Sequence, residues 1–259
     1  MEKSKIFLVF DTFSNQEIKE FRKFVNSPFF NQQKEISLLL DFLVECKQHL
    51  KVIPTKEKAF QFVFGQQKFS DVKVRLLMSD MYKLIEKFLI CKNTFADDIQ
   101  NKIQLASTYR QRNLPKHFEK TIKRSDELLE KGNLRHAEYF NSRYKQLVEE
   151  YQFASSQKRN EEFNLQEISD TLDITFVTMK LRQTCLLLSH QTVYKKEYDF
   201  GLLSLIIQYI EQNNLLETPA ISMYYYCYKA LTEPQYLEYF TNFKPVSYTH
   251  LTLPTICSV

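Results

Sequence analysis

Apolar residues return every three to four positions along almost the whole chain, the pattern of helices that each bury one face. Ile6, Val9, Phe10 and Phe13 fall at i, i+3, i+4 and i+7 and predict a short first helix. Ser14 opens a second, with Glu17 three residues on, a spacing at which each side chain reaches the other's unpaired backbone N–H. Ile18, Phe21, Phe24 and Val25 form its buried side, and Asn26-Ser27-Pro28 ends it. Asn31 is placed to cap a third helix whose stripe is Ile36, Leu39, Leu40, Leu43 and Val44. After Pro54-Thr55 a short helix carries Ala59, Phe60, Val63 and Phe64 and closes at Gly65, suited to a left-handed terminal residue. Ser70 or Asp71 caps the cleanest stripe, Val74, Leu77, Met78, Met81, Leu84, Ile85, Phe88 and Leu89.

Apolar density drops near Asn93–Asp98, which divides an N-terminal helical module (1–95) from the rest (96–244). Beyond it, Ile99, Ile103, Ala106 and Tyr109 mark a helix ending near Asn113, and Pro115 sits in the first turn of the next. That helix uses Phe118, Ile122, Ser125 and Leu129 and stops at Gly132. Ala137, Phe140, Tyr144, Leu147 and Tyr151 then alternate three- and four-residue steps, the a and d positions of a heptad seam. Phe140, Leu147 and, earlier, Leu84 lie mid-stripe and are expected to be buried. Further helices are expected at about 163–194, 199–212, 219–231 and 234–243, with Pro219 and Pro234 in first turns.

Two-helix hairpins with loose spacing in the thirties resemble a degenerate tetratricopeptide-like (TPR-like) solenoid in architecture, although the consensus of that repeat is missing. Phe21-Arg-Lys-Phe24, Ser27-Pro-Phe-Phe-Asn31 and Leu77-Met-Ser-Asp-Met81 before Leu84–Leu89 also resemble a group of uncharacterised bacterial all-helical proteins. That resemblance covers about residues 1–244. It implies an N-terminal helical module with a TPR-like continuation, in longer chains, and it brings no activity with it. The expected fold class is therefore all-α, with stacked antiparallel helices, a module followed by a TPR-like solenoid, and a truncated C-terminus.

Composition strengthens this reading. Three glycines and seven prolines in 259 residues leave few tight turns for sheets or dinucleotide folds. Aromatics reach 14%, all Phe and Tyr, which suits helix-on-helix packing. Five cysteines without a C-x-x-C pair point to reduced thiols in the cytoplasm. The apolar run Ile6–Phe10 is too short for a signal-peptide core, and nothing later approaches a membrane span. The net charge of +4 is small, but residues 102–146 hold 11 basic and 5 acidic side chains, and residues 147–244 hold 8 and 13.

Candidate chemistry is sparse. Glu45, Cys46 and His49 can share a helical turn, but a zinc site needs about four ligands and no second cluster is present. His117, His136 and His190 stand alone, and the doublets Glu149-Glu150 and Glu161-Glu162 diverge around a helix rather than converge in a cleft. No nucleotide loop or nucleophile elbow occurs, so neither an enzyme nor a cofactor is expected. The basic segment carries more weight. Lys116, Lys120, Lys123 and Arg124 share roughly one helix face, flanked by Arg110, Arg112, Arg135, Arg143 and Lys145. Such a face fits a solvated surface with internal pairs such as Glu119–Lys123, an acidic protein or peptide, or phosphate. Residues 54–92 form a helix, a turn and a helix, but the connection is long and the second helix has the wide stripe of a core element. Tyr224, Tyr225, Tyr226 and Tyr228 crowd about one turn, so some should face outward, as on a solenoid's peptide-binding face.

The functional expectation is a non-enzymatic protein-interaction scaffold of helical-repeat type, its candidate surface Lys116, Lys120, Lys123, Arg124, Tyr224, Tyr225 and Tyr228. The alternative is a nucleic-acid-associated regulator using the 54–92 hairpin or the 110–145 basic face. Residues 246–259 stand apart, because charge vanishes there and Thr and Ser take over. Val246–Thr255 resembles a translated sequencing-library adaptor. The resemblance implies a foreign tail, irregular or poorly packed, with apolar and tyrosine surface exposed on the helices before it.

Overall fold

The computed structural model describes residues 4–48, 55–132, 135–157, 163 and 165–250, the last seven by backbone alone. These residues form twelve α-helices and one 3-10 turn, with no strand among them. They fall into two compact units, Met1–Asp97 and Asp98–Val259.

The first unit contains α1 (Lys5–Asp11), α2 (Asn15–Val25), α3 (Lys34–Gln48), α4 (Lys56–Phe64) and α5 (Asp71–Ala96). Its helix starts follow from local chemistry. Ser14 and Glu17 form both halves of a capping box, with Ser14 N–H donating to Glu17 at 2.8 Å. Thr55 and Ser70 hydroxyls accept the Lys58 and Lys73 N–H groups at the starts of α4 and α5. Gly65, at φ +65°, ends α4 in a conformation that a side chain would strain. Asn31 does not cap α3 as expected. Its amide donates to Val25 O and Gln33 O and its carbonyl accepts from Gln33 N–H, so it fastens the α2–α3 connection. Lys47 on α3 donates to Phe10 O, Asp11 O and Phe13 O, satisfying carbonyls that the end of α1 leaves open.

These helices close over Phe10, Phe21, Leu39, Leu40, Leu43, Met81 and Ile85, all essentially without exposure. Phe21 meets Phe13 edge-on at 5.7 Å and Phe88 at 5.1 Å. Leu84 is buried, as its stripe predicts. At the rim Lys92 of α5 reaches Glu17 at 3.1 Å and Glu20 at 3.2 Å on α2. The Ser14 N–H and then Lys92 hold the Glu17 carboxyl down to about 2.

The second unit contains α6 (Asp98–Gln111), α7 (Pro115–Lys131), α8 (Ala137–Gln157), α9 (Leu165–Tyr194), α10 (Leu203–Gln212), α11 (Pro219–Thr232) and α12 (Leu237–His250). Pro115 and Pro219 occupy first turns, whereas Pro234 lies in the turn before α12. Helix lengths run from 10 residues in α10 to 30 in α9, and α9 packs on α8, α10 and α11 together. The main core joins Val177, Leu181 and Cys185 to Leu203, Ile206, Ile210, Ile221 and Met223. A smaller one joins Ala106, Phe118 and Ile122, with Phe153 stacked on Phe118 at 4.1 Å.

Two expectations need correction here. Leu147 is buried, but Phe140 is only half-buried, so the heptad seam is not the inner face of α8. α8 packs on α6, α7 and α9, and its deepest residues include the polar Ser142 and Gln146. The backbone of Val246–His250 is helical rather than irregular, because α12 runs on through Lys244 and Pro245. Residues 251–259, Cys257 among them, lie outside the described residues.

Candidate functional site

α7 divides its side chains cleanly. Phe118, Thr121, Ile122, Ser125 and Leu129 are buried on one side. Lys116, Lys120, Lys123 and Arg124 are all exposed on the other. At 100° per residue the four cations span about 100° of arc, centred opposite the buried stripe. No ion pair reaches any of them among the described residues, and the expected Glu119–Lys123 pair is not formed. Lys131 and Glu127 project from the same face, so one carboxylate sits among the cations.

Four of the other basic residues of the segment are used internally, whereas Arg112 is exposed with no ion pair among the described residues. Arg110 pairs with Glu149 at 2.8 Å, Arg135 with Glu130 at 2.6 Å, and Lys145 donates to Gln100 at 3.3 Å. Arg143 ties three helices together, bonding Asp126 on α7 at 2.9 Å and Glu167 on α9 at 3.0 Å, with Glu150 on its own helix at 4.0 Å. The buried Gln146 amide donates to Asp126 at 2.6 Å and Glu150 at 2.9 Å. Burial pushes the Glu150 carboxyl above its ordinary range, against the opposing pull of Gln146 and Arg143. The sequence reading missed this network. Its one signal was Arg143, Gln146 and Glu150 at i, i+3 and i+7, a polar stripe turned inward.

The tyrosine cluster also faces inward. Tyr224 and Tyr225 are 5% and 6% exposed, and Tyr226 and Tyr228 are half-buried. α11 lies against both α9 and α12, which removes the outward face expected for them. Tyr225 donates its hydroxyl to Glu211 at 2.7 Å, and burial followed by that bond pushes its phenol well up. Apolar exposure at this end falls instead on Leu231, Tyr236, Leu237 and Phe240.

In the 54–92 hairpin Lys58, Lys68 and Lys87 are exposed, while other cations are paired. Within it Lys56 and Arg75 pair with Asp71, and Lys83 pairs with Asp80, while the inner stripe of α5 is buried. Pro54 and His49 lie outside the described residues, so the Glu45–Cys46–His49 turn is not described as a group. No group of three His, Cys, Asp or Glu side chains able to hold a metal occurs among the described residues. Cys46, Cys185 and Cys227 are buried, and Cys91 is half-buried. No helix among the described residues is long and apolar enough to cross a membrane. No protein-family model, curated protein or solved structure matches this chain.

Proposed function

We propose that this chain is a non-enzymatic interaction scaffold of TPR-like helical-repeat type, and that it takes an acidic protein or peptide segment on the outer face of α7. The observation that supports this is the row Lys116, Lys120, Lys123 and Arg124, exposed, unpaired among the described residues and opposite the buried stripe. Arg110, Arg135 and Arg143 nearby are each paired with in-chain carboxylates, whereas the α7 row is not. Glu127 in its midst favours a partner whose carboxylates can be spaced around it over a continuous phosphate backbone, and α7 exposes no Phe, Tyr or Trp on which bases could stack. Tyr224, Tyr225 and Tyr228 belong to the packing of α11 and are not part of this surface.

The test uses a fluorescent oligo-glutamate peptide and a single-stranded oligonucleotide as parallel probes. The peptide should bind, and the triple variant Lys120→Glu, Lys123→Glu, Arg124→Glu should lose it with helical circular dichroism unchanged. Peptide binding that the triple variant retains, or no binding at all, removes the surface. Tighter oligonucleotide binding with a steep loss in salt would move the reading to nucleic acid.

A further inference from the structure

α9 carries two apolar faces. One places Val177, Leu181 and Cys185 in the core. On the opposite side Leu165, Leu172, Met179, Leu186 and Val193 recur every seven residues, with Phe176 four after Leu172 and three before Met179. This second ridge is largely uncovered: Leu165 is 52% exposed, Leu172 44%, Phe176 48%, Met179 42% and Val193 60%, with Leu186 half-buried. Scattered exposed leucines need no account, but a seven-residue repeat held over about 40 Å of helix has the form of a coiled-coil seam. In that frame the five sevenfold residues are d positions, and Ser169, Phe176, Gln183 and His190 are the a positions.

We propose that this ridge is the seam of a homodimer in which two copies of α9 lie antiparallel. Charge selects both the partner and the direction. From Leu165 to Met179 the helix carries Glu167, Asp170 and Asp173 and no Lys or Arg. From Lys180 to Lys196 the chain carries Lys180, Arg182, Lys195 and Lys196 and no Asp or Glu. A parallel pair sets like against like, and an antiparallel pair sets each acidic half on a basic half. The flanking positions agree. Asp173 and Lys180 are e positions beside the seam, and neither has an ion-pair partner among the described residues. In an antiparallel pair e faces e, so a register with Phe176 against Met179 of the second copy brings Asp173 to Lys180 of that copy, twice by symmetry. In a parallel pair e faces g, and the g positions Ile168, Thr175 and Ser189 are uncharged, while Arg182 is already bonded to Glu138. The polar a residues weaken the seam while restricting its register, so the dimer should dissociate on dilution.

Sedimentation of the full chain over about 1–200 µM tests this. The mass should rise toward twice 31.0 kDa with concentration, and Phe176→Glu with Met179→Glu should hold it at the monomer with circular dichroism unchanged. Asp173→Lys alone and Lys180→Asp alone should each weaken association about tenfold. The double exchange Asp173→Lys, Lys180→Asp should restore it, because each lysine again meets an aspartate. Asp173 is exposed, whereas Lys180 is half-buried with its ammonium beside Gly201, so circular dichroism of each variant is read alongside its mass. A monomer across the whole range assigns the ridge to a different protein and overturns the proposal. So does a dimer indifferent to the glutamate pair, or a double exchange that fails to restore association.

Discussion

In the first unit the deepest positions are rings and aliphatic chains, Phe10, Phe21, Leu39 and Met81, whereas the deepest positions of α7, α8 and α9 include Ser125, Gln146, Thr178 and Thr184. The two regions are held by different physics. Apolar burial is non-directional and scales with area, so any sequence that puts a stripe on each helix achieves it. A buried polar group must find a partner or bear its desolvation cost. Some do: the Thr175 and Thr184 hydroxyls donate back to Thr171 O and Lys180 O one turn earlier. Others do not, since Ser125 Oγ, Thr178 Oγ1 and Gln146 Oε1 have no partner among the described residues. The first region is therefore expected to fail on loss of volume with little dependence on pH, and the polar layer of α7, α8 and α9 to add a dependence on pH.

The largest effect should come from volume in the first unit. Phe21→Ala removes a fully buried ring that touches Phe13 and Phe88, and should cost about 3–5 kcal/mol, independent of pH between 5 and 8. Chemical denaturation at both ends of that range checks it. A loss below about 1 kcal/mol would mean that the ring cluster relaxes around the gap.

A smaller and pH-dependent loss is expected at Arg143. Arg143→Met keeps much of the aliphatic stem and removes the cation bonded to Asp126 and Glu167, at about 2 kcal/mol near pH 7. The loss should shrink in acid as Glu150, whose pKa burial raises, takes up its proton and no longer draws on Arg143. A pH-independent loss equal to that of Phe21→Ala would place the guanidinium's value in packing, and the contrast between the regions would fail.

That contrast also decides what the sequence could tell. The stripes of α2, α3 and α5, the capping box and Gly65 were all legible, because each rests on neighbours within a few positions and on a helix with one wet side. α7 was legible for the same reason, from Phe118 to Leu129. α8, α9 and α11 were not, because polar residues take inward positions on α8 and α9, and α11 is covered by both α9 and α12. Phe140 in an apolar heptad ended half-buried while Gln146 ended inside, and Tyr224 and Tyr225 went inward where an open face was expected. The cations of α7 were legible as a row, but not their isolation. Which carboxylates Arg110, Arg135 and Arg143 take depends on residues up to 39 positions away.

The finest test is Glu150→Gln. Gln146, Arg143, Asp126 and Glu167 surround this carboxyl, and burial raises its pKa above the ordinary value of 4.5. An acid whose pKa is raised by folding contributes stability below its unfolded pKa and loses it as pH rises through the folded one. At neutral pH the ionised Glu150 is therefore a liability, and a glutamine that still accepts from Gln146 should relieve it. The variant should melt higher than the parent at pH 7, by about 2 °C, and the difference should narrow as pH falls and the parent's carboxyl takes up its proton. Arg143 opposes the effect, since its 4.0 Å approach to Glu150 favours the charge, but that distance is longer than its bonds to Asp126 and Glu167. Thermal melts of both proteins at several pH values read the sign directly. A variant that melts lower at pH 7, with the deficit vanishing in acid, would show that Arg143's attraction outweighs burial. The network would then be a stabilising ion cluster rather than a tolerated polar core.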